Sequence, residues 1–197
     1  MGSLGDTVSA ADSTITPKSA GSRGMFDELD LGFVTELYKK VNPLIVNIIV
    51  NSIFVKYTSL SLRGKSYSCS QASRKKGSQF VALAEWVSAL FGPPPTPVPE
   101  PAHPDSKFRP VKIHHYIRVS ATADESVSHL LLAVVSWHLP HPNRDVIGKP
   151  AQVWNHSKFE RGGIYTFLHV QYLKCRCAFH VITVEADPLL VIVPILE

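Results

Sequence analysis

The chain has 197 residues, 45% of them hydrophobic, which suffices for one domain of ordinary size with a real core. Its formal charge is +4 and its pI is near 9.0, basic but not extreme. Three cysteines are too few for a disulfide framework. The longest apolar stretch, Leu44 to Val55, is interrupted by Asn47, Asn51 and Ser52 and is too short to cross a bilayer, so neither a disulfide-stapled scaffold nor a helical membrane protein is expected.

Residues 1–24 are rich in Ser, Gly, Thr and Ala and carry almost no large apolar side chains. Such a segment buries too little surface to offset its ordering entropy and reads as a disordered leader. Residues 25–197 read as a single β-rich domain. It opens with a short helix capped by Asp27 or Asp30, with Phe33, Val34, Leu37 and Tyr38 as its apolar stripe. Lysines 39 and 40 at its end suit the helix dipole, and Asn42-Pro43 stops it.

Asn51 to Leu62 then reads as a strand, Arg63-Gly64-Lys65 as a tight turn and Ser66 to Ser70 as its return. Arg74, Lys75 and Lys76 form a basic loop, and Gln79 to Val87 is a further strand. Residues 92–104 hold seven prolines in thirteen positions, which predicts an extended strap over the surface of the domain. Beyond it, Val111-Lys112-Ile113, Leu130 to His138, Ala151 to Trp154, Ile164 to Val170, Leu173 to Phe179 and Leu189 to Ile195 are strand-length and rich in β-branched or aromatic residues. The expected architecture is mainly β: a partly open β-barrel with a short N-terminal helix. The final strand, at the very end of the chain, reads as the end of a fragment of a longer protein.

Residues 50–92 carry six basic side chains against the single acid Glu85. Such a local excess attracts polyanions. Arg63, Lys65, Arg74, Lys75 and Lys76 are therefore the candidate nucleic-acid-binding residues. Trp137, Trp154, Phe159 and Arg144 are the candidate partner-binding residues, since aromatics at a barrel rim can stack on bases or enclose a methylated lysine. The alternative is that Trp137, Trp154 and Phe167 fill the barrel.

The nine histidines offer little chemistry. His114-His115 are expected on opposite faces of a strand. His138 and His141 flank a proline turn and, with Cys175 or Cys177, could form a mixed metal site serving a hydrolytic enzyme. Cys175 and Cys177 are read as pointing to opposite faces, unable to chelate one metal together or to bond to each other. A Gly-x-Ser-x-Gly elbow, a Walker loop and a Gly-x-Gly-x-x-Gly loop are all missing from the sequence, and Asp145 and Glu160 have no acid–base partner. A non-catalytic protein without cofactor or metal is the expectation, and the metal-dependent hydrolase is its rival.

Lys112-Ile113, Val134-Val135-Ser136-Trp137, His141-Pro142, Trp154, Phe159-Glu160, Phe167-Leu168 and Leu173-Lys174-Cys175-Arg176-Cys177 follow one another in an order that resembles the core of a bromo-adjacent homology (BAH) domain. His169 stands where that family usually has proline. The resemblance implies a BAH-like barrel that recognises histone tails, nucleosomes or protein partners without catalysis. Its ligand-binding aromatics lie in loops that do not align with this sequence, so it assigns no site residue. The span from Asp27 to Glu197, with Phe91-Gly92-Pro93-Pro94-Pro95 and Gly148-Lys149-Pro150, also resembles uncharacterised mobile-element-derived proteins of invertebrate genomes. Both resemblances imply a chromatin- or nucleic-acid-associated binding module, intracellular and nuclear, with no membrane partner.

Overall fold

The computed structural model describes residues 16–18, 21–44, 47–71, 81–85, 108–123, 126–142, 147–160 and 166–195. The fold is mainly β, with one α-helix and antiparallel pairing throughout. In chain order come β1 (Thr16–Lys18), β2 (Ser22–Met25), α1 (Glu28–Val41), β3 (Ile48–Tyr57), β4 (Ser59–Leu62), β5 (Lys65–Ser68) and β6 (Val81–Glu85). The long strands β7 (Phe108–Ala123) and β8 (Ser126–Pro140) follow, then β9 (Gln152–Phe159), β10 (Thr166–His169), β11 (Leu173–Val184) and β12 (Asp187–Pro194). Among the described residues, no helix is long and apolar enough to cross a membrane.

The helix starts where its sequence signals place it. Asp27 is the N-cap, accepting a hydrogen bond from the Asp30 amide at 2.8 Å. Glu28 and Asp30 occupy the first turn and Lys39 and Lys40 the last, matching the macrodipole. Val34, Leu37 and Tyr38 are its buried face.

β7 and β8 organise everything else, because each is long enough to belong to two sheets. At one end, β6 pairs with residues 108–112 of β7 and β9 pairs with the last residues of β8. The pairings β7–β8, β8–β9, β9–β12, β12–β11, β11–β6 and β6–β7 close a six-stranded ring. At the other end, β3 takes over the edge of β7 and β10 the edge of β8, giving an open sheet in the order β10–β8–β7–β3–β2. A bulge between Ile113 and His115 lies near the junction and re-aims β7 as it passes from ring to open sheet.

Three apolar clusters fill this frame. Helix α1 covers one face of the open sheet through Val34, Leu37 and Tyr38 against Ile117, Val119, Leu130 and Leu132. The other face of β7 and β8 lies under the β4–β5 hairpin, where Leu60, Leu62 and Tyr67 meet Val111, Ile113, Val135 and Trp137. The third cluster, Val81, Leu83, Trp154, Cys175, Cys177, Leu190 and Ile192, belongs to the ring. On β11 and β12 the opposite face is exposed at Lys174, Ala178 and Val193, so this third cluster is the ring's interior.

Two expectations change here. The leader is not structureless throughout: β1 pairs with β4, and β2 pairs with β3. Backbone pairing to an existing strand needs no apolar side chain, which is why composition misses it. Glycine is the enabling residue, since a Cβ on Gly21 would stand 2.3 Å from the Lys56 carbonyl oxygen. The run 51–62, expected as one strand, is divided at Thr58, where the chain leaves β7 for the small β1–β4–β5 sheet. The strap at 92–104 lies outside the described residues.

Candidate functional site

Leu62 and Lys65 are directly paired, so Arg63 and Gly64 form a two-residue turn. Both have positive φ, 51° and 75°, as the hairpin turn with the right twist demands. Gly accepts that conformation freely, whereas a long side chain such as arginine seldom does. The turn holds Arg63 out in solvent with Lys65 half-buried beside it.

The hairpin brings these two cations to β11. Lys174 and Arg176 alternate along its outward face, with Lys174 exposed and Arg176 half-buried. Arg176 and Arg63 both act on the Tyr67 hydroxyl, and Lys174 and Lys65 both act on the Cys175 thiol. Burial and the nearby Cys175 outweigh the two arginines at Tyr67, and its pKa is raised. Lys174 also lies 5.7 Å above the Phe108 ring. Four cations from two remote segments are thus near Tyr67 and Cys175. Arg63 and Lys65 were legible as a basic turn. Lys174 and Arg176 were not, because only the pairing of β11 with β6 brings them there. Their one sequence signal is the Lys-x-Arg alternation itself. Arg74, Lys75 and Lys76 lie outside the described residues.

The candidate partner-binding aromatics are placed differently from the expectation of a rim. Trp137 is 2% exposed and donates from Nε1 to Thr166 Oγ1 at 2.9 Å. Trp154 is 1% exposed and donates to Gln152 Oε1 at 3.1 Å. Large rings at inward strand positions fill the core, and their one polar atom is satisfied there. Neither indole offers a face to a partner. Phe159 is half-buried, tilted against the His138 ring at 4.7 Å with the Lys112 ammonium 5.9 Å from its centroid. Arg144 lies outside the described residues.

The ring interior is apolar on one arc and polar on the other. Val81, Lys112 and Ser136 are direct cross-strand partners, and His138 is paired with Phe159. His114 Nε2 and Ser136 Oγ are hydrogen-bonded at 2.9 Å. His138 donates from Nδ1 to the Asn155 carbonyl at 2.9 Å, which leaves Nε2 as a bare acceptor, buried and without a hydrogen-bond partner among the described residues. Burial holds the imidazole of His138 neutral, with its pKa depressed to about 4, and the cations and histidines around it push the same way. His114 and His115 are likewise depressed to about 4, chiefly by burial. Among the described residues no group of three or more His, Cys, Asp or Glu side chains is placed to hold a metal ion, so the pairing of His138 and His141 with a cysteine draws no support.

The cysteines require a correction. Side chains two apart on a strand point the same way, and both Cys175 and Cys177 face the ring interior. The Cys177 thiol stabilises the Cys175 thiolate against the opposing effect of burial. With help from Lys174 and Lys65 it brings the Cys175 pKa down to about 7. The Cys177 pKa is pushed up correspondingly, because its own proton serves that contact and the site is buried. Cys69 sits apart, in the cluster beneath the hairpin.

No family model matches the chain, and no curated protein or solved structure is significantly similar to it.

Proposed function

We propose that the chain is a non-catalytic nucleic-acid-binding module of nuclear chromatin, built on a BAH-like barrel. The observation that carries this reading is the convergence of Arg63, Lys65, Lys174 and Arg176 from the β4–β5 turn and β11. Such a cluster suits a phosphate backbone, where affinity comes from charge neutralisation and position rather than from a catalytic constellation. Arg63 supports it further, since a long basic side chain occupies a left-handed turn position that Asn or Gly would fill with less strain. The six-stranded ring supports the barrel resemblance. A histone tail, itself basic, is a poorer match to this surface than a polyanion. The hydrolase reading has no assembled ligand set among the described residues.

The test is binding to a short duplex and a single strand, measured across a salt series. Affinity is expected to fall steeply with salt, and the double substitution Arg63→Ala/Lys174→Ala to flatten the slope by about two, one for each phosphate that is no longer neutralised. Both positions are exposed, so thermal stability should be little changed. Absence of binding at low salt, or a slope the double variant leaves untouched, overturns the reading in favour of a module for protein partners.

A further inference from the structure

The two thiols inside the ring play no part in phosphate binding. Cys175 and Cys177 are 4% and 0% exposed, free, and lodged among Val81, Leu83 and Trp154. Isolated buried cysteines behave as small apolar residues, but these two are neighbours on one face of one strand. The strand period places both side chains on the same side, within one apolar cluster.

The spacing discriminates between the two things such a pair can do. Alternate residues of a strand have Cα atoms about 6.6–6.8 Å apart. That is the upper end of what a disulfide spans, the preferred separation being about 5.5–6 Å. A metal ion bridging the thiolates through two bonds of about 2.3 Å accommodates sulfurs about 4.6 Å apart, which this spacing allows without moving the backbone. The donor count then selects the ion. Zinc wants four donors, and no third His, Cys, Asp or Glu joins the pair among the described residues. Soft monovalent ions are satisfied by two thiolates.

We propose that Cys175 and Cys177 form a two-coordinate site for a soft monovalent metal ion of the Cu(I) class inside the barrel. On binding, each thiol gives its proton to solvent and two metal–sulfur bonds form, with no change of oxidation state. The resulting bis-thiolate complex carries one net negative charge. Lys174, next to Cys175 in the chain, offsets part of it. The proposal does not depend on nucleic-acid binding.

The experiment uses the reduced full chain under anaerobic conditions, titrated with Cu(I) held in a competing chelator, with native mass spectrometry as the count. One Cu(I) per chain is expected, retained in Cys69→Ser and lost in Cys175→Ser and in Cys177→Ser, while Zn(II) at the same free concentration does not displace it. Because a serine in the core can impair folding, alkylation of the parent chain gives a second readout. Bound Cu(I) should protect Cys175 and Cys177, and leave the labelling of Cys69 unchanged. No uptake against the chelator, protection that falls on Cys69, retention of the ion by the Cys175 or Cys177 variants, or displacement by Zn(II) each overturns the proposal.

Discussion

The ring and the open sheet are built on the same two strands, yet their interiors differ in kind. Over the half of β7 and β8 covered by α1, the buried side chains are almost all aliphatic or aromatic, from Val119 and Ala121 to Leu130, Leu132 and Val134. Where the same strands enter the ring, the inward positions become Lys112, Ser136 and His138, and β11 adds two thiols. Buried polar groups cost stability unless satisfied. The buried face under the helix is therefore apolar throughout, whereas the ring interior mixes apolar and polar groups. The cations follow the same division, because Lys174 and Arg176 lie on the outer wall of the ring.

Trp154 gives the largest expected effect, and it tests whether the ring folds with the rest. Its ring packs against Leu190, with which it is paired, inside a small cluster. Trp154→Ala should cost about 3–5 kcal/mol, the usual figure for a large aromatic lost from a core. Because β7 and β8 run through both regions, urea unfolding of the variant should remain a single transition, with fluorescence and circular dichroism coinciding. Two separated transitions would show the ring to be an independent unit.

His138 makes the ring sensitive to acid. Its folded pKa of about 4 lies below the ordinary value of 6.5, so the unfolded chain binds the proton first as pH falls. Its contribution is fully present above pH 6.5 and is lost progressively between about 6.5 and 4. For a side chain 2% exposed, the gap between the folded and unfolded values corresponds to roughly 3 kcal/mol of stability. His138→Phe should remove His138's share of the acid sensitivity and leave that of His114 and His115, read from urea midpoints measured at several pH values. An unchanged pH profile would place the acid sensitivity elsewhere, with His114 and His115 next in line.

What was legible in the sequence was local. Helix α1 announced itself through Asp27, the stripe of Val34, Leu37 and Tyr38, and the terminal lysines, all within one segment. The strands showed in runs of β-branched and aromatic residues, and the 63–65 turn in its glycine. The closure of the ring did not show, because the pairing of β11 with β6 and of β12 with β9 joins segments that no local pattern relates. The basic cluster was half legible for the same reason. The strands in the leader escaped because they rest on backbone pairing, with serine and glycine in place of an apolar signal. The common facing of Cys175 and Cys177 was fully legible, since a period of two decides it, and an expectation of opposite faces contradicts that period.

The smallest expected effect concerns the cap of α1, and it probes the other region. Asp27 takes the amide of Asp30 into a hydrogen bond at 2.8 Å and places a carboxylate at the positive end of the helix dipole. Asp27→Ala leaves that amide to solvent and should cost about 1 kcal/mol, measured by chemical denaturation. The first turn is exposed at Glu28 and Leu29, so the damage should stay near the helix start while Val34, Leu37 and Tyr38 hold the rest against the sheet. Asp27→Asn or Asp27→Ser, which keep a capping oxygen, should recover most of the loss, the remainder being the attraction of the charge to the dipole. Hydrogen exchange should show the largest loss in the amides of α1, and those amides of β11 and β12 that exchange only through global unfolding should lose about the same 1 kcal/mol. If the slowest amides of β11 and β12 instead kept their full protection, the ring would be unfolding independently of the helix-covered sheet.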